Sequence, residues 1–366
     1  MGRLSTKLAA LGVDEQALKS AAAEGLDGLR LLIARHISFP GARRYTPLEV
    51  YEKSGVDQET AQALWRAMGF PLVPEDQAAF TDADIEALQI SVKLFDRAGM
   101  DRTIVLQQAR SMGQAAARIA ASHQDVLAEL IPDADLARAA EEALSLADEA
   151  LPATDHLLVY MYRRHLAAAT EQRILVTPSG EGGVMMTVGF ADLLGFTALS
   201  RELDVRELAA LIDRFNAATA NVVAQARGRV VKTIGDEVMF ATHDPGSAAS
   251  IALALLNDVS GKDGLPPLKV GVGSGAVIAR EGDLFGGPVN LANRLVTIAK
   301  PACALVDEAT RDALASDERF HFTSLGKRHL KGLGLVRSFR LRAAGSKRPR
   351  PVRRRARPQN SAGDRR

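Results

Sequence analysis

Residues 228–242 read GRVVKTIGDEVMFAT, with apolar runs on either side of a Gly-Asp pair. This pattern predicts a β-hairpin with Gly235 and Asp236 in its tight turn. Turn geometry alone would explain the Gly-Asp pair. It does not explain why a short apolar hairpin also carries Lys232 and a second carboxylate, Glu237, beside that turn. The surrounding segments have to show whether these charges serve only the bend or also a chemical function.

The segments on both sides of the hairpin predict an α+β domain. Residues 184–192, VMMTVGFAD, are apolar enough for a central strand. A helix follows, opened by a capping box of Asp204 and Glu207. After the hairpin, the pattern predicts helices at 247–259 and 288–299 and strands at 268–279, 302–306, 319–324 and 335–342. The order β-α-β-β-α-β with additions is typical of a ferredoxin-like, or palm-type, domain.

The first 170 residues are rich in alanine and predict helices without a strand. Thr46 and Glu49 form a capping box with proline at the first helical position. Asp57 and Thr81 each open a further helix, and the second ends around Gly99. Helical patterns continue at 101–121 and 133–150, and a connecting helix is predicted from about 155 to 172. This half is expected to be an all-α domain.

Changes of composition divide the chain into four parts. We expect a helical domain at 1–154, a connecting helix and hinge at 155–183, an α+β domain at 184–343 and a basic tail at 344–366. From Ser346 onward the tail holds nine Lys or Arg and one Asp. With almost no apolar residues it cannot bury a core, so it is expected to be disordered. Such a tail is either simply solvated or attaches weakly to nucleic acid or anionic lipid.

The composition is that of an ordinary globular chain of 366 residues, 47% hydrophobic and 25% charged. No apolar run approaches the roughly 18 residues needed to span a bilayer, and the N-terminus lacks the apolar core of a signal peptide. The single cysteine, Cys303, cannot form an internal disulfide, which favours a reducing cytoplasmic location. Its apolar surroundings predict a buried structural thiol rather than a nucleophile.

The segment FADLLGFTALS, residues 190–200, predicts the first part of a catalytic site. Asp192 lies at the carboxyl end of a buried strand, where an unpaired carboxylate would be costly. The backbone N–H groups of Phe196 and Thr197 enter a helix, where they could hold phosphate oxygens. If the hairpin pairs with this strand, Asp236 comes close to Asp192. Two aspartates at adjacent strand ends suit a pair of hard divalent cations, which bind oxygen ligands.

The segment GDLFGGPVNLANRL, residues 282–295, predicts the second part. Asn290 and Arg294 are four residues apart on a helix and therefore share one face. A guanidinium suits the charge that develops on a transferring phosphoryl group, and an Asn side chain can orient a ribose. Each residue alone has a structural explanation, since Asn and Arg on helices are usually solvated. Asp283 alone would be a loop acid, and Lys232 a charge at a strand end.

Together these segments resemble the three signature motifs of class III nucleotide cyclases. FADLLGFT, KTIGDEVMF and GDLFGGPVNLANR occur in the order and spacing of that family, and the likeness covers about residues 184–342. The resemblance implies that Asp192 and Asp236 bind two divalent cations, Mg²⁺ or Mn²⁺. It also implies that the nucleotide is held by Phe196, Thr197 and Lys331, the last in the looser match HLKGLG beside Lys327 and Arg328.

The same resemblance assigns the remaining four positions. Lys232 and Asp283 match the pair that recognises adenine, and Asn290 and Arg294 match the pair that orients the ribose and stabilises the transition state. A carboxylate at position 283 can accept from the exocyclic amine of adenine, whereas guanine presents an oxygen there. The implied reaction is therefore the conversion of ATP into 3′,5′-cyclic AMP and pyrophosphate. The catalytic domains of this family pair head to tail, which implies a homodimer with two composite sites.

The N-terminal half is similar to the helical regulatory domains that precede actinobacterial cyclases, without a catalytic signature of its own. Residues 40–95 also resemble a MerR-type helix-turn-helix, but the would-be recognition helix has Arg66 as its one basic residue, which argues against DNA binding.

His156 and His165 on the connecting helix could titrate near neutral pH and bias a conformational change, or be simply solvated. A lipid or other small ligand in the helical domain is an equal alternative.

Three other functions stay open at this point. GDEV echoes the GGDEF signature of diguanylate cyclases, although the Asn290/Arg294 helix favours an adenylate cyclase. A DNA-binding regulator with a nucleotide-sensing domain would bind duplex DNA in a salt-dependent way without turnover. A catalytically inactive scaffold is the third, and the six filled functional positions argue against it.

Overall fold

The structure, a computed structural model, describes residues 9, 13–25, 28, 31–32, 35–36, 38–39, 41–130, 136–175, 178–179 and 183–345. Within residues 124–148 and 172–182 the description is limited to the backbone. The predicted basic tail, from Ser346 onward, lies outside the described residues. The chain forms two compact units, Met1–Ile174 and Leu175–Arg366.

The first unit is helical, as predicted. Its described helices are α1 (Glu15–Ala23), α2 (Pro47–Ser54), α3 (Gln58–Ala67), α4 (Asp82–Ala98), α5 (Arg102–Leu130) and α6 (Leu136–Leu175). The capping box of Thr46 and Glu49 is confirmed, and the side chain of Asp57 accepts from the backbone N–H of Thr60 at the start of α3. Thr81 opens α4 and Gly99 ends it in the left-handed conformation.

The last two helices run further than the sequence predicted. Separate helices were expected at 133–150 and from about 155 to 172, but α6 continues from Leu136 to Leu175 with Pro152 inside it. A proline removes one backbone donor from a helix, which weakens the helix at that turn without necessarily ending it. The N–H at Nδ1 of His156 donates to the carbonyl oxygen of Pro152 at 2.9 Å, an extra contact in the turn that follows the proline.

The helical unit buries its own apolar core. Val50, Leu64 and Leu88 are almost fully buried, and Phe80 packs with them. An isolated bridge pairs Tyr45 with Phe80. The same core lines a partly open cavity of about 240 Å³, with Trp65, Phe80 and Leu88 among the lining residues.

The second unit combines helices with a sheet. In chain order it contains β1 (Pro178–Ser179), β2 (Gly183–Leu193), α7 (Phe196–Leu199), α8 (Val205–Gln225), β3 (Arg229–Ile234), β4 (Glu237–Thr242), α9 (Pro245–Ala254), β5 (Leu268–Arg280), β6 (Asp283–Phe285), α10 (Gly287–Ile298), β7 (Cys303–Val306), α11 (Glu308–Ala313), β8 (Phe320–Leu330) and β9 (Gly334–Ala343). A π-helical turn, Leu255–Val259, follows α9. The predicted helices and strands occur in the predicted order, and the structure adds β1, β6 and α11, which were not predicted.

The sheet has the order β3-β4-β2-β5-β7-β9-β8, with β1 and β6 paired to β2 and β5 outside that path. All neighbours along the path are antiparallel except β5 and β7. Helices α8 and α9 pack on one face through Phe215 and Ile251. Helix α10 packs on the other face through Ala292 and Val296. The β2 strand therefore lies in the middle, as its apolar sequence predicted.

Helix α10 lies unusually close to β5 because glycines face it. A Cβ atom on Gly271 would come within 2.3 Å of the carbonyl oxygen of Ala292 and of the backbone nitrogen of Val296. Only glycine leaves room for the helix backbone there. This contact fixes the position of the helix that carries Asn290 and Arg294.

Two further sequence predictions can be compared with the structure. Cys303 is buried, and burial raises the pKa of its thiol above the ordinary value, as expected for a structural cysteine. Among the described helices, none is long and apolar enough to cross a membrane.

Candidate active site

Three charged residues of the candidate site lie in one row across the sheet. Asp192 on β2 is the direct cross-strand partner of Glu237 on β4 and of Lys269 on β5. Direct partners in an antiparallel pair project from the same face. The ammonium group of Lys269 pairs with a carboxylate oxygen of Asp192 at 2.5 Å, and both side chains are largely buried. Asp192 thus has a fixed cationic partner.

The hairpin turn brings Asp236 to the end of β2. Gly235 occupies the left-handed conformation at φ 61°, and the backbone N–H of Leu193 donates to the carbonyl oxygen of Asp236 at 3.2 Å. Burial raises the pKa of Asp236 above its ordinary value, and the neighbouring charge of Asp192 adds to this effect. The structure therefore brings Asp192 and Asp236 together, as the sequence predicted.

Glu237 is a third carboxylate beside this pair. Burial raises its pKa from the ordinary 4.5 to about 7, and the charges of Asp192 and Asp236 contribute in the same direction. Lys269 opposes the increase. The cluster therefore concentrates more negative charge than its single lysine neutralises.

These residues fit a divalent cation. Asp192 and Asp236 offer oxygen ligands, and their mutual repulsion would be relieved by a positive ion. Within the described part of the chain, no group of three or more His, Cys, Asp or Glu is arranged as a closed metal site. Two protein carboxylates with the remaining positions left to water and substrate oxygens is the usual arrangement for Mg²⁺ in nucleotide enzymes.

Lys232 and Asp283 form the second charged pair of this unit. The ammonium group of Lys232 donates to a carboxylate oxygen of Asp283 at 2.5 Å, and the other oxygen accepts from the backbone N–H of Leu284 at 2.8 Å. Burial acts to raise the pKa of Asp283, but these hydrogen bonds outweigh it and hold the pKa below its ordinary value. Asp283 is thus an ionised acceptor next to a cationic donor.

Asn290 and Arg294 lie on the side of α10 that faces away from its own sheet. Ala292, Leu295 and Val296 are buried against the strands, whereas Asn290 and Arg294 are exposed. Within the described residues, no hydrogen bond or ion pair joins these two side chains to Asp192 or Asp236. The predicted helix face is present, but within one chain Asn290 and Arg294 do not contact Asp192 and Asp236.

The three predicted phosphate-contacting residues occupy two turns. Phe196 and Thr197 begin α7 directly after Gly195, which has a φ of 78°. The side chain of Phe196 packs against the core, so only its backbone is available to a ligand, and Thr197 is exposed. Lys331 is exposed in the turn between β8 and β9.

The structure adds Lys269 and Glu237 to the residues that the sequence identified. Lys269 belongs to the segment LKVGVGSGAVIA, whose apolar pattern predicted a strand but gave its charge no role. A lysine at the edge of a buried strand was the available signal. Its partner became visible only with the register of β2 and β5.

Comparison with known proteins identifies both units. Residues 183–343 match the family described as the adenylate and guanylate cyclase catalytic domain. Residues 3–167 match the adenylate cyclase regulatory domain. Among solved structures, the guanylate cyclase domain of RhGC from Catenaria anguillulae in complex with GTP covers 44% of this chain and 97% of its own, with 22% identity and a TM-score of 0.41.

Several bacterial proteins are similar over most of the chain. An adenylate cyclase of Streptomyces coelicolor is 36% identical over 357 residues, which covers 88% of this chain and 92% of that protein. An adenylate cyclase of Streptomyces griseus is 40% identical, covering 73% of this chain and 67% of that protein. A protein named as a pH-sensitive adenylate cyclase of Mycobacterium tuberculosis is 30% identical, covering 87% and 83%.

The raised pKa of Glu237 predicts a pH-dependent stability. An acid whose pKa is higher in the folded protein binds more protons when folded, so the free energy of unfolding falls as the pH rises between the two pKa values. For Glu237 this window runs from 4.5 to about 7. We therefore compare the melting temperatures of Glu237→Gln and of the unsubstituted protein at the same pH. The difference, variant minus unsubstituted protein, should increase as the pH rises from about 5 to about 8. Calorimetry in the presence of a chelator measures this difference.

The matched control is Glu318→Gln, which removes an exposed carboxylate elsewhere in the same unit. Its melting temperature should follow that of the unsubstituted protein at each pH. Parallel melting curves for all three proteins over the whole range would contradict the burial of a protonated Glu237.

Proposed function

The chain belongs to the class III adenylate cyclases, and on that premise we propose that it converts ATP into 3′,5′-cyclic AMP and pyrophosphate. The observation that carries the choice of ATP is the pair of Lys232 and Asp283, joined at 2.5 Å. An ionised carboxylate accepts from the exocyclic amine of adenine, and the lysine is a donor for a ring nitrogen. Guanine would place an oxygen lone pair against Asp283.

The triphosphate lies, in this proposal, between the carboxylate pair and the start of α7. As the first two residues of that helix, Phe196 and Thr197 have backbone N–H groups without an acceptor inside the helix, and these hold phosphate oxygens. Lys331 contacts the terminal phosphates as a cation. Asp192 and Asp236 hold the divalent cations that this family uses. When bound, two cations, Mg²⁺ or Mn²⁺, lower the pKa of the 3′-hydroxyl and neutralise the triphosphate.

Cyclisation is one displacement at the α-phosphorus. The 3′-oxygen of ATP bonds to the α-phosphorus, the bond from that phosphorus to the bridging oxygen breaks, and pyrophosphate leaves. The hydroxyl proton passes to water. Asn290 orients the ribose so that the 3′-oxygen faces the phosphorus, and the guanidinium of Arg294 stabilises the charge that develops on the phosphoryl oxygens.

We infer that two copies of the chain build each site. Asn290 and Arg294 are exposed on α10 and face away from the sheet that carries Asp192 and Asp236. A catalytic arrangement needs these groups within hydrogen-bond distance of one nucleotide. A second catalytic unit, related by a two-fold axis, supplies the missing half to each site.

We propose that the helical unit regulates this activity. His156 and His165 lie on α6, with Arg163 and Arg164 beside the second histidine. Protonation there would add positive charge to the helix that leads to the catalytic unit. A relative bears the name pH-sensitive adenylate cyclase, which supports proton binding as the signal. The alternative signal is a lipid or other apolar ligand, for which the cavity of about 240 Å³ offers a place.

Two other interactions remain secondary proposals. The basic tail has the composition for weak contact with an anionic surface. DNA binding by α2 and α3 has little support, because Ala61, Leu64 and Ala67 of α3 are buried in the core of the unit and Arg66 is the basic residue of that helix.

Product analysis tests the activity. We expect the full chain with manganese to form 3′,5′-cyclic AMP from ATP and far less cyclic product from GTP, because Asp283 accepts from the adenine amine. Chromatography of both reactions identifies the products. Formation of a cyclic dinucleotide from GTP would establish the diguanylate cyclase alternative. Absence of turnover with either nucleotide, together with salt-dependent duplex binding, would support the DNA-binding regulator.

Mixing two inactive variants tests the composite site. Asp236→Ala lacks a metal ligand and Arg294→Ala lacks the transition-state guanidinium, so each homodimer should be inactive. A mixed dimer has one intact site, formed by the carboxylates of one chain and the arginine of the other. Random exchange should therefore restore about one quarter of the original activity. An inactive mixture, under conditions where exchange is verified by mass, would contradict the two-chain site.

Replacement of the histidines tests proton regulation. We expect the double variant His156→Gln, His165→Gln to show a flatter pH profile of cyclic AMP formation between about pH 5.5 and 8, since it cannot gain charge there. His123→Gln, an exposed histidine on α5, is the matched control and should keep the original profile. If the double variant also keeps it, proton binding at α6 is excluded and the apolar ligand becomes the better candidate.

A further inference from the structure

We propose that Arg229 is a positioning residue for base recognition, which holds Asp283 in the orientation that accepts the 6-amino group of adenine. This inference rests on the proposed function and extends it to a residue outside the three signature motifs. It depends on a β-bulge in β3, on the tip of the β5–β6 hairpin and on the charges around Asp283.

The bulge places Arg229 and Lys232 on the same face of the sheet. Arg229 pairs with Ala241 and Lys232 pairs with Met239, with the register shifted between Val230 and Lys232. Residues three apart on a regular strand project from opposite faces. The extra residue of the bulge brings Arg229 and Lys232 onto one face. Their partners Ala241 and Met239 pack in one cluster and thus share a face, and direct partners project from the same face. Two cations of β3 therefore project in the same direction.

Both cations contact the tip of one hairpin. The β5–β6 turn consists of Glu281 and Gly282, whose φ angles of 53° and 80° are those of a tight two-residue turn. The guanidinium of Arg229 donates to the carbonyl oxygen of Gly282 at 3.4 Å. Lys232 donates to the carboxylate of the next residue, Asp283. Gly282 and Asp283, which are consecutive in the hairpin, thus both accept hydrogen bonds from side chains of β3.

The two cations have different roles because their chemistry differs. Arg229 is about half-buried; burial lowers its pKa and the charge of Asp283 raises it, while a guanidinium remains charged in any case. Its planar group fixes the backbone of the turn, so the direction of the Asp283 side chain is set before a nucleotide arrives. Lys232, by contrast, pairs with the Asp283 carboxylate itself and is the donor that faces the base.

Loss of Arg229 should therefore affect the recognition of the 6-amino group more than it affects the rest of the site. Without the guanidinium, the turn keeps the β5–β6 pairing and the bond between Lys232 and Asp283 but loses the contact of β3 with the carbonyl oxygen of Gly282. The backbone that carries Asp283 is then less constrained, and its carboxylate holds the orientation toward the 6-amino group less well. Contacts to the triphosphate and ribose depend on Asp192, Asp236 and α10, which Arg229 does not touch.

The experiment compares equilibrium binding of two triphosphates that cannot cyclise, 3′-deoxy-ATP and the same nucleotide without its 6-amino group. Calorimetry on the full chain with a divalent cation gives both dissociation constants. We expect the original protein to prefer the 6-amino nucleotide by about tenfold or more, because a charged acceptor otherwise stays unpaired. Arg229→Met, which keeps an unbranched side chain but removes the guanidinium, should reduce that preference to about threefold or less while binding the deaminated nucleotide as before.

Two further variants make the result specific. Arg214→Met removes an exposed arginine on α8 and should keep the full preference. Arg229→Lys keeps the charge but loses the planar fork, so it should recover only part of the preference, and it serves as the test if Arg229→Met does not fold. An unchanged preference in folded Arg229→Met or Arg229→Lys would overturn the inference, as would equal weakening of both nucleotides.

Because binding is measured without turnover, the two proposals can fail separately. If the original protein forms no cyclic AMP but shows a 6-amino preference that depends on Arg229, the inference holds and the catalytic proposal fails. If it forms cyclic AMP and all variants share one preference, the catalytic proposal holds and the role of Arg229 is excluded.

Discussion

The antiparallel pairing of β2 with β4 on one side and β5 on the other is the constraint on which the candidate active site depends. It places Asp192 between Glu237 and Lys269 in one row, and it delivers the hairpin turn with Asp236 to the end of β2. A slip of one residue in either pairing would turn Asp192 into the apolar layer beneath α8 and α9. The buried residues before it oppose such a slip, because Phe190 packs on the face of Asp192 and Ala191 packs on the opposite face.

The cost of this row is electrostatic. Burial raises the pKa of Asp236 and of Glu237, and the charges of the neighbouring carboxylates add to this effect, so three carboxylates with one lysine form an unfavourable cluster. The apolar core on both faces of the sheet stabilises the unit well enough to tolerate it. A site that is destabilised while empty gains most from a cation, which is the physical reason to connect the row with metal binding.

The proposed second half of the site is arranged by close packing rather than by charge. Glycines on β5 let the backbone of α10 approach the sheet, and the helix then exposes Asn290 and Arg294 on its far side. The cavity of about 240 Å³ lies in the helical unit, whereas Asn290 and Arg294 lie exposed on the surface of α10. An incomplete surface of this kind is what a site shared between two chains requires.

The sequence by itself determined the order of strands and helices, the helix caps, the adenylate cyclase motifs and the two aspartates, because periodicity, turn residues and motif spacing are local properties. It also placed Asn290 and Arg294 on one helix face. It did not determine that α6 continues through Pro152. Whether a helix continues past a missing hydrogen bond depends on how stable the helix is on both sides of the proline. Nor did it reveal the partners of Lys269, the pKa of Glu237 or the shared face of Arg229 and Lys232. Those depend on strand register and on a bulge, and residues far apart in the chain meet only when the sheet has formed.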